Sequence, residues 1–247
     1  WGDVGPPEHP TYEVWAWNAE DGTPLPGWPV FTSKSCWATP TLADLDHDGL
    51  DEIIVPCRNG YLYVWKADGS ELIDGDNNPS THGIFAYLEF SWAHASAAVV
   101  DIDNDRDLEI IVPSRSQKVY CFNPDGSAVN GWPVNLGGTV RGSIAVGDVN
   151  NNGYIEVVTS TNAGKVYLLA ADGTIFPNWP RNAVFTGDFP SSPTLADLDG
   201  DGDLEIMIVS SEGTVHVWKW EGTPYPGWPQ IVENGAEAEV QSSISVG

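Results

Sequence analysis

Oxygen-bearing side chains recur in a nine-residue pattern that occurs four times in this chain. Positions 1, 3, 5 and 9 of every copy carry a carboxylate or an amide, and glycine stands at position 6 in three copies. We call these stretches acidic loops one to four: residues 44–52, 101–109, 148–156 and 197–205. Calcium takes about 6–8 oxygen ligands in flexible geometry, and tight Asp-rich turns supply them from alternate residues. The pattern therefore predicts divalent-cation sites, with Ca²⁺ preferred.

The spacing of the acidic loops indicates a repeated unit. Their first residues are 57, 47 and 49 positions apart, and periods near fifty are typical of propellers, solenoids and arrays. A short run of small and apolar residues precedes each loop, and two runs rich in β-branched and aromatic residues follow it. Runs of this kind, bounded by Gly, Asn and Asp turns, predict strands and hairpins.

The third run of each repeat indicates how the strands pack. Residues 61–65, 119–122, 166–169 and 215–218 are apolar at nearly every position, without alternation. Such a strand is covered on both faces, as in blades stacked around an axis. No stretch shows a helical period. We therefore predict an all-β fold, a β-propeller of four-stranded antiparallel blades with four full repeats and two partial blades.

The predicted domain is a single β-propeller over residues 1–247. Full repeats span approximately 36–90, 91–137, 138–186 and 187–235, and partial blades span 1–35 and 236–247. The two pieces either close a five-bladed ring or belong to a larger propeller. We favour the larger propeller, because a blade shared by the two pieces would lack its acidic loop. The missing initiator Met and the abrupt end at Gly247 also fit a processed or partial chain from a longer polypeptide.

Composition restricts the partners and the compartment. A net charge of −25 argues against nucleic acid and anionic membranes as partners, and no run of about 18 apolar residues is present to span a membrane. Cys36 and Cys57 fall diagonally across two predicted strands, which leaves open a disulfide or buried thiols. Cys121 is predicted to be core. Extracellular or cell-surface localisation is expected if the loops are weak sites that need millimolar calcium.

The repeats resemble the FG-GAP family, also called VCBS repeats, which forms bladed propellers in integrin α-chains and in many secreted bacterial proteins. The most specific match is Leu-Ala-Asp-Leu-Asp-Gly-Asp-Gly-Asp-Leu-Glu-Ile at residues 195–206. The literal Phe-Gly and Gly-Ala-Pro signature is absent, which points to the bacterial type rather than to integrins. The resemblance implies calcium in the loop between the first two strands, and a role in adhesion, ligand binding or accessory structure.

The resemblance also implies a ligand set for up to four Ca²⁺ ions. Side chains at positions 1, 3, 5 and 9 and the backbone carbonyl at position 7 would bind each ion. Loop one offers Asp44, Asp46, Asp48, Leu50 and Glu52, and loop two offers Asp101, Asp103, Asp105, Asp107 and Glu109. Loop three offers Asp148, Asn150, Asn152, Tyr154 and Glu156, and loop four offers Asp197, Asp199, Asp201, Asp203 and Glu205.

The loops are expected to differ in affinity. Loop three has two formal charges among its side-chain ligands where the others have four, so it should bind calcium most weakly. In loop two, Arg106 replaces the glycine at position 6, which adds backbone strain and a nearby positive charge. The sequence therefore predicts the tightest binding in loops one and four.

The twelve tryptophans allow two interpretations. Trp28, Trp132, Trp179 and Trp228 recur next to proline at one repeat position, which predicts packing between blades. Candidates for an exposed platform that binds sugars are Trp17, Trp37, Trp92 and Trp220. The long insert at residues 72–90 accounts for the widest spacing, and loops of this length are often functional.

No catalytic motif stands out in the sequence, so we predict a protein that is not an enzyme. The predicted function is a non-catalytic, calcium-binding propeller of a secreted or cell-surface protein, acting in adhesion, scaffolding or binding of an extracellular protein or glycan. One alternative is a carbohydrate-binding module that uses exposed tryptophan. Another is a calcium-dependent polysaccharide lyase resembling rhamnogalacturonan lyases, although ten basic residues offer few bases for an acidic substrate.

Overall fold

The computed structural model describes residues 12–78, 80–89, 93, 95–182, 191–232 and 243–245. Within these residues the protein consists of β-strands, turns and loops, with no helix. No helix in this part of the chain is therefore long and apolar enough to cross a membrane. The all-β prediction is confirmed.

Four sheets of four antiparallel strands follow one another along the chain, and we call them blades one to four. A two-stranded sheet of β1 (Tyr12–Val14) and β2 (Val30–Thr32) precedes them. Blades one and two contain β3 (Thr41–Ala43), β4 (Glu52–Pro56), β5 (Tyr61–Trp65), β6 (Ile84–Tyr87), β7 (Ala98–Val100), β8 (Glu109–Pro113), β9 (Lys118–Phe122) and β10 (Val134–Asn135). Blades three and four contain β11 (Ala145–Gly147), β12 (Glu156–Thr161), β13 (Lys165–Leu169), β14 (Arg181–Asn182), β15 (Thr194–Ala196), β16 (Glu205–Val209), β17 (Thr214–Trp218) and β18 (Gln230–Ile231).

Each acidic loop connects the first and second strands of its blade. In the antiparallel register, the glutamate at position 9 pairs with the residue just before the loop, as Glu52 pairs with Ala43 and Glu109 pairs with Val100. The same pairing recurs in blades three and four. Both ends of every loop are thus held by the strand ladder, which fixes the distance that the nine residues must span.

Residues just before the first strands hydrogen-bond from one blade to the next. The amide of Ser96 donates to Ser143 Oγ at 3.2 Å, and the amide of Ser143 donates to Ser192 Oγ at 2.9 Å. The amide of Ser192 donates to Ser243 Oγ at 3.2 Å. Ser243 therefore accepts from Ser192 as Ser192 accepts from Ser143. Residues 243–245 form no regular strand, and their neighbours lie outside the described residues.

The hydrophobic core lies between successive sheets, as the apolar third strands predicted. The last four residues of β5, β9 and β13 are all buried. One cluster joins Ile54 and Val64 of blade one to Ile110 and Tyr120 of blade two. Burial of apolar surface on both faces of these strands is the main stabilising contribution to blade stacking.

Tryptophans at the start of the fourth strand connect each sheet to the following blade. The side chains of Trp28, Trp132 and Trp179 are 6–7% exposed, and their Nε1 atoms donate to backbone carbonyls of the next blade at 2.8–2.9 Å. Trp228 occupies the same position in blade four and is half-buried. The packing role predicted for Trp28, Trp132 and Trp179 is confirmed.

The cysteines resolve an alternative that the sequence left open. Cys36 and Cys57 form a disulfide, with their Cα atoms 4.2 Å apart. Cys121 is a buried free thiol, and burial raises its pKa well above its usual range. A thiol with a raised pKa carries little thiolate, so Cys121 acts as an apolar core residue, as predicted.

Lower pH is expected to destabilise the fold through His216. This side chain is 2% exposed in β17, and burial lowers its pKa from 6.5 to about 4. The unfolded chain therefore binds a proton at a higher pH than the folded chain does, and stability falls as pH falls through this window, by about 3 kcal/mol. Urea unfolding of wild type and His216→Phe between these pH values measures the effect, and an equal pH dependence in both proteins would contradict it.

Candidate functional site

The aspartate at position 1 organises the backbone of every acidic loop. In loop one, Asp44 Oδ1 accepts a hydrogen bond from the amide of Asp48 at 3.1 Å, and Oδ2 accepts one from the amide of Gly49 at 3.1 Å. Asp101 and Asp148 accept the corresponding pair of amides at 2.7–3.1 Å, and Asp197 accepts the amides of Gly200 and Gly202 at 2.7 and 3.0 Å. The first ligand of each predicted set is therefore fixed before any ion binds.

Position 6 has the left-handed backbone that its glycines predicted. The φ angles of Gly49, Gly153 and Gly202 are 88°, 87° and 95°. Arg106 adopts the same conformation, with φ of 85°. A side chain in this region of φ costs roughly 1–2 kcal/mol. Loop two therefore retains the geometry of the other loops in spite of this strain.

The glutamate at position 9 closes each loop from inside the protein. Glu52, Glu109, Glu156 and Glu205 are 0–2% exposed, and Oε2 of each accepts the amide of position 2 at 2.7–2.9 Å. Among the described residues, Oε1 of Glu52, Oε1 of Glu109 and Oδ1 of Asn150 are buried without a hydrogen-bond partner in the protein. Buried polar atoms normally have partners. A cation within the loop would supply the missing contact, so these residues fit a bound metal ion.

The electrostatics of the glutamates favour a positive ligand. Burial, followed by repulsion from Asp103, Asp105 and Asp101, raises the pKa of Glu109 from 4.5 to about 7 against the opposing backbone hydrogen bond. Burial also raises the pKa of Glu52, Glu156 and Glu205. A buried carboxylate is disfavoured in its charged form until a proton or a cation neutralises it. A divalent cation would remove this cost and stabilise the folded chain.

The structure brings together different parts of the ligand set in different loops. In loop two, all four predicted carboxylates offer oxygens within 4.8 Å of one another: Asp101, Asp103, Asp105 and Glu109. Comparable clusters contain Asp44, Asp46 and Asp48 in loop one, and Asp197, Asp199 and Glu205 in loop four. Loop three has two carboxylates, Asp148 and Glu156, beside its two asparagines. Loop two is therefore the most complete carboxylate cluster among the described residues.

The position-7 carbonyls remain predicted ligands. The side chains of Leu50 and Tyr154 are each 57% exposed, which suits residues that contribute only backbone. The side chain of Asp107 contacts His47 Nε2 at 3.1 Å, and Asp203 Oδ2 accepts a hydrogen bond from the Trp220 indole at 2.9 Å. The side chains at these four positions thus have other contacts or face solvent.

The side chains of two lysines from outside the acidic loops contact loop carboxylates. Neither lysine was predicted to be a site residue. Lys66 Nζ donates to Asp46 Oδ2 in loop one. Lys219 Nζ donates to Asp199 Oδ2 at 3.0 Å and to Asp201 Oδ2 at 3.4 Å in loop four. Both lysines directly follow the third strand of their blade. This shared position in the repeat is the feature of the sequence from which the two lysines could have been identified.

The candidate platform tryptophans do not form one surface. Trp37 is 60% exposed, with the Arg58 guanidinium carbon 4.1 Å from the centre of its ring. Trp17 is 54% exposed and stacks on Trp15, with ring centres 5.1 Å apart. Trp220 is half-buried, and Trp92 lies outside the described residues. Trp17 and Trp37 therefore retain the exposure that was predicted for a platform.

A separate cavity lies between the two-stranded sheet and blade one. Its volume is about 720 Å³. The aromatic part of its wall comes from Phe31, Tyr61 and Tyr63, and residues 76, 78 and 80–82 of the insert contribute polar groups. The insert predicted to be functional thus forms one wall of the cavity.

Comparison with solved structures supports the propeller architecture. BamB from Moraxella catarrhalis matches 80% of this chain with a TM-score of 0.50 and 15% identity, over 50% of its own length. BBS1N, crystallised with ARL6DN, matches 88% of the chain with a TM-score of 0.54 and 11% identity, over 62% of its length. The V. cholerae biofilm matrix protein Bap1 matches 89% of the chain with a TM-score of 0.53 and 21% identity, over 34% of its length. This chain thus spans between a third and two thirds of the length of these three structures.

Sequence comparison identifies the repeat itself. No curated protein sequence matches the chain significantly. The sequence profile of the FG-GAP-like repeat matches residues 44–112 and 156–208. These two stretches contain acidic loops one, two and four in full, and only the last residue, Glu156, of loop three. The repeats of this chain therefore belong to the FG-GAP-like repeat family.

Proposed function

We propose that this chain is a calcium-stabilised, non-catalytic propeller domain that binds an extracellular protein or glycan at a cell surface or in secreted form. The observation that carries the proposal is the set of buried, unpartnered oxygens in the acidic loops, Glu52 Oε1, Glu109 Oε1 and Asn150 Oδ1. When bound, calcium would supply the positive charge that these oxygens lack. The loop residues would hold the ion and thereby connect the first and second strands of each blade.

Two further observations support an extracellular setting. Structural disulfides persist in oxidising compartments, and Cys36 and Cys57 form one here. The net charge of −25 leaves the chain repelling itself, and bound divalent ions would reduce that repulsion. Both features suit a protein that folds and acts where calcium is millimolar.

Chelation of calcium is the experiment that tests this proposal. A ligand at about 100 times its dissociation constant stabilises the folded state by about 2.7 kcal/mol. For a chain of this size, that corresponds to a melting midpoint higher by roughly 5–10 °C for each bound ion. Thermal unfolding in 2 mM CaCl₂ and in excess EDTA should differ at least by that amount, with MgCl₂ restoring little. Identical midpoints in calcium and EDTA would contradict the proposal.

A second candidate function, carbohydrate binding, is favoured by the cavity beside the insert. Its volume of about 720 Å³ falls in the range of small-molecule sites. Phe31 is 54% exposed in its wall, and the Tyr63 hydroxyl accepts a hydrogen bond from Asn59 Nδ2 at 2.9 Å. Aromatic faces pack against the apolar C–H faces of sugar rings, and neighbouring polar groups bond their hydroxyls. This cavity supports sugar binding better than the separate tryptophans do.

The composition of the cavity favours a neutral saccharide. No Lys or Arg is among the described residues that line it, whereas Asp76 contributes a carboxylate. Asp76 accepts a hydrogen bond from Thr81 Oγ1 at 2.8 Å within the insert. An acidic sugar would meet this carboxylate without a compensating cation. The same argument disfavours the alternative of a lyase acting on acidic polysaccharide at this cavity.

Calorimetric titration with neutral and acidic trisaccharides tests the second candidate. Maltotriose, cellotriose, xylotriose and chitotriose are the neutral probes, and trigalacturonate is the acidic probe. Phe31→Ala should weaken binding of a neutral probe about tenfold or more, through loss of ring contact. Trp17→Ala is the matched control, because Trp17 is equally exposed at 54% and lies outside the cavity. Loss of binding in Trp17→Ala alone, preference for trigalacturonate, or no binding of any neutral probe would each contradict this assignment.

A further inference from the structure

Lys66 and Lys219 stand at one position of the repeat, immediately after the third strand. The backbone amides of these residues donate to the carbonyls of Ser70 and Thr223 at 2.8 and 2.9 Å and close the same five-residue turn. The equivalent turns in blades two and three begin at Asn123 and Ala170, with the same hydrogen bond at 2.9 and 2.8 Å. The backbone geometry is thus shared by all four blades, and only two of them place a cationic side chain there.

The ammonium of Lys219 lies among the side chains that would bind calcium in loop four. Its Nζ is 3.0 Å from Asp199 Oδ2, 3.4 Å from Asp201 Oδ2 and 4.0 Å from Glu205 Oε1. These carboxylates occupy positions 3, 5 and 9 of the loop. An ammonium is a compact cation with three donors, which suits it to a cluster of carboxylate oxygens. The Lys219 ammonium therefore contacts three of the four side chains that are predicted to bind the metal ion in loop four.

Loop one shows the same arrangement with one principal contact. Lys66 Nζ hydrogen-bonds to Asp46 Oδ2 at position 3. The side chains of Lys66 and Asp46 are 34% and 26% exposed, so solvent screens this ion pair only in part. The negative charge of loop one is thus partly neutralised by the protein itself.

Loop two has no such lysine at the equivalent position. The side chain of Asn123 donates to Ser127 Oγ at 2.8 Å within its own turn. All four carboxylates of loop two cluster, and Oε1 of Glu109 is buried without a hydrogen-bond partner among the described residues. Loop two thus combines the most complete ligand cluster with an unneutralised buried carboxylate.

We propose that Lys66 and Lys219 are internal competitors of Ca²⁺, so that acidic loops one, two and four fall into two classes. Loop two depends on calcium and binds it most tightly. Loops one and four are neutralised by lysine when calcium is low and bind the ion more weakly, because the ion must displace the ammonium. This inference rests on the proposed calcium function, and it places loop two above loops one and four, opposite to the order predicted from Arg106 in loop two.

Substitution of the lysines with glutamine tests the competition. Lys66→Gln and Lys219→Gln keep the aliphatic stem and remove the charge. Lys165→Gln is the matched control, since Lys165 begins β13 at the end opposite the turn and changes net charge by the same amount. In titrations against a chromophoric chelator, each loop variant should bind one Ca²⁺ about tenfold more tightly than wild type, the effect of removing one partly exposed ion pair. The control should match wild type.

Thermal unfolding with and without calcium distinguishes competition with the ion from a purely structural role of the two lysines. In EDTA, Lys66→Gln and Lys219→Gln should melt below the Lys165→Gln control, because loop carboxylates lose their counter-ion. In 2 mM CaCl₂ the loop variants should melt at or above the control, because the competitor is absent. A decrease of equal size in both buffers would assign the lysines an ordinary structural role and overturn the inference.

The outcomes separate this inference from the proposed function. Calcium binding that is equal in wild type, the loop variants and the control would overturn the competition and leave the calcium function standing. Absence of calcium binding in all the proteins would overturn both. A gain of affinity in either loop variant alone would assign competition to that lysine and exclude it for the other.

Discussion

Replacing Asp101 with alanine is expected to weaken calcium binding at acidic loop two by at least about 100-fold, the upper end of the loss caused by removing residues that only support a metal ligand. Asp101 is both a predicted ligand and the acceptor for the amides of Asp105 and Arg106, each at 3.1 Å. The substitution therefore removes one ligand oxygen and releases a backbone whose φ is strained at Arg106. Isothermal titration with CaCl₂ measures the loss.

Asp107→Ala is the matched control within the same loop. It removes the same charge, but its side chain is exposed and contacts His47 rather than the cluster of carboxylates. The backbone carbonyl predicted to bind the ion is retained. Calcium affinity should change less than about tenfold, as for one exposed charge in screened solvent. Equal losses in Asp101→Ala and Asp107→Ala would show that net charge, rather than the built loop, governs binding.

Gly131→Ala is expected to disrupt the contact between blades two and three. Gly131 has φ of 89°, and a Cβ atom built on it would lie 1.9 Å from the backbone oxygen of Asp172. The adjacent Trp132 donates its indole hydrogen to the Ala171 carbonyl at 2.8 Å, so the two backbones must separate at a packed position. The free energy of unfolding should fall by about 3–5 kcal/mol, the size typical of severe core disruption. Urea unfolding at constant calcium measures it.

Gly227→Ala provides a control with the same backbone conformation and no steric conflict. Gly227 has φ of 88°, and a Cβ atom there would meet no atom of the described residues within 4 Å. Only the strain of a left-handed alanine should remain, about 1–2 kcal/mol. Similar losses in the two variants would mean that close approach of the blades at Gly131 contributes nothing to stability.

The sequence predicted the strands and the loops because their signals are local and repeated. The apolar third strands, such as Tyr61–Trp65, required cover on both faces, and the structure provides it. Glycine at position 6 predicted a positive φ that even Arg106 adopts. Burial of Trp28, Trp132 and Trp179 followed from their recurrence at one repeat position. Four repeats of each signal made these inferences secure in a way that one copy would not.

Contacts between distant parts of the chain could not be predicted in the same way. Lys66 lies 20 residues from Asp46, and Lys219 lies 20 residues from Asp199, so neither belongs to the nine-residue pattern. The cavity is lined by residues of the two-stranded sheet, blade one and the insert, which are separate in the sequence. The amides of Ser143 and Ser192 donate to Ser192 Oγ and Ser243 Oγ, which lie 49 and 51 residues further along the chain. Each of these features depends on which blades meet, and the pattern within one repeat does not contain that information.

A crystal structure determined in millimolar CaCl₂, with data collected for the anomalous signal of calcium, tests the central claim most directly. If acidic loop two binds calcium, we expect an anomalous peak there, within about 2.3–2.6 Å of the oxygens of Asp101, Asp103, Asp105 and Glu109. The same map would show whether Lys66 and Lys219 leave loops one and four when ions enter them. Absence of anomalous density from all four acidic loops in that crystal would contradict calcium binding by these loops.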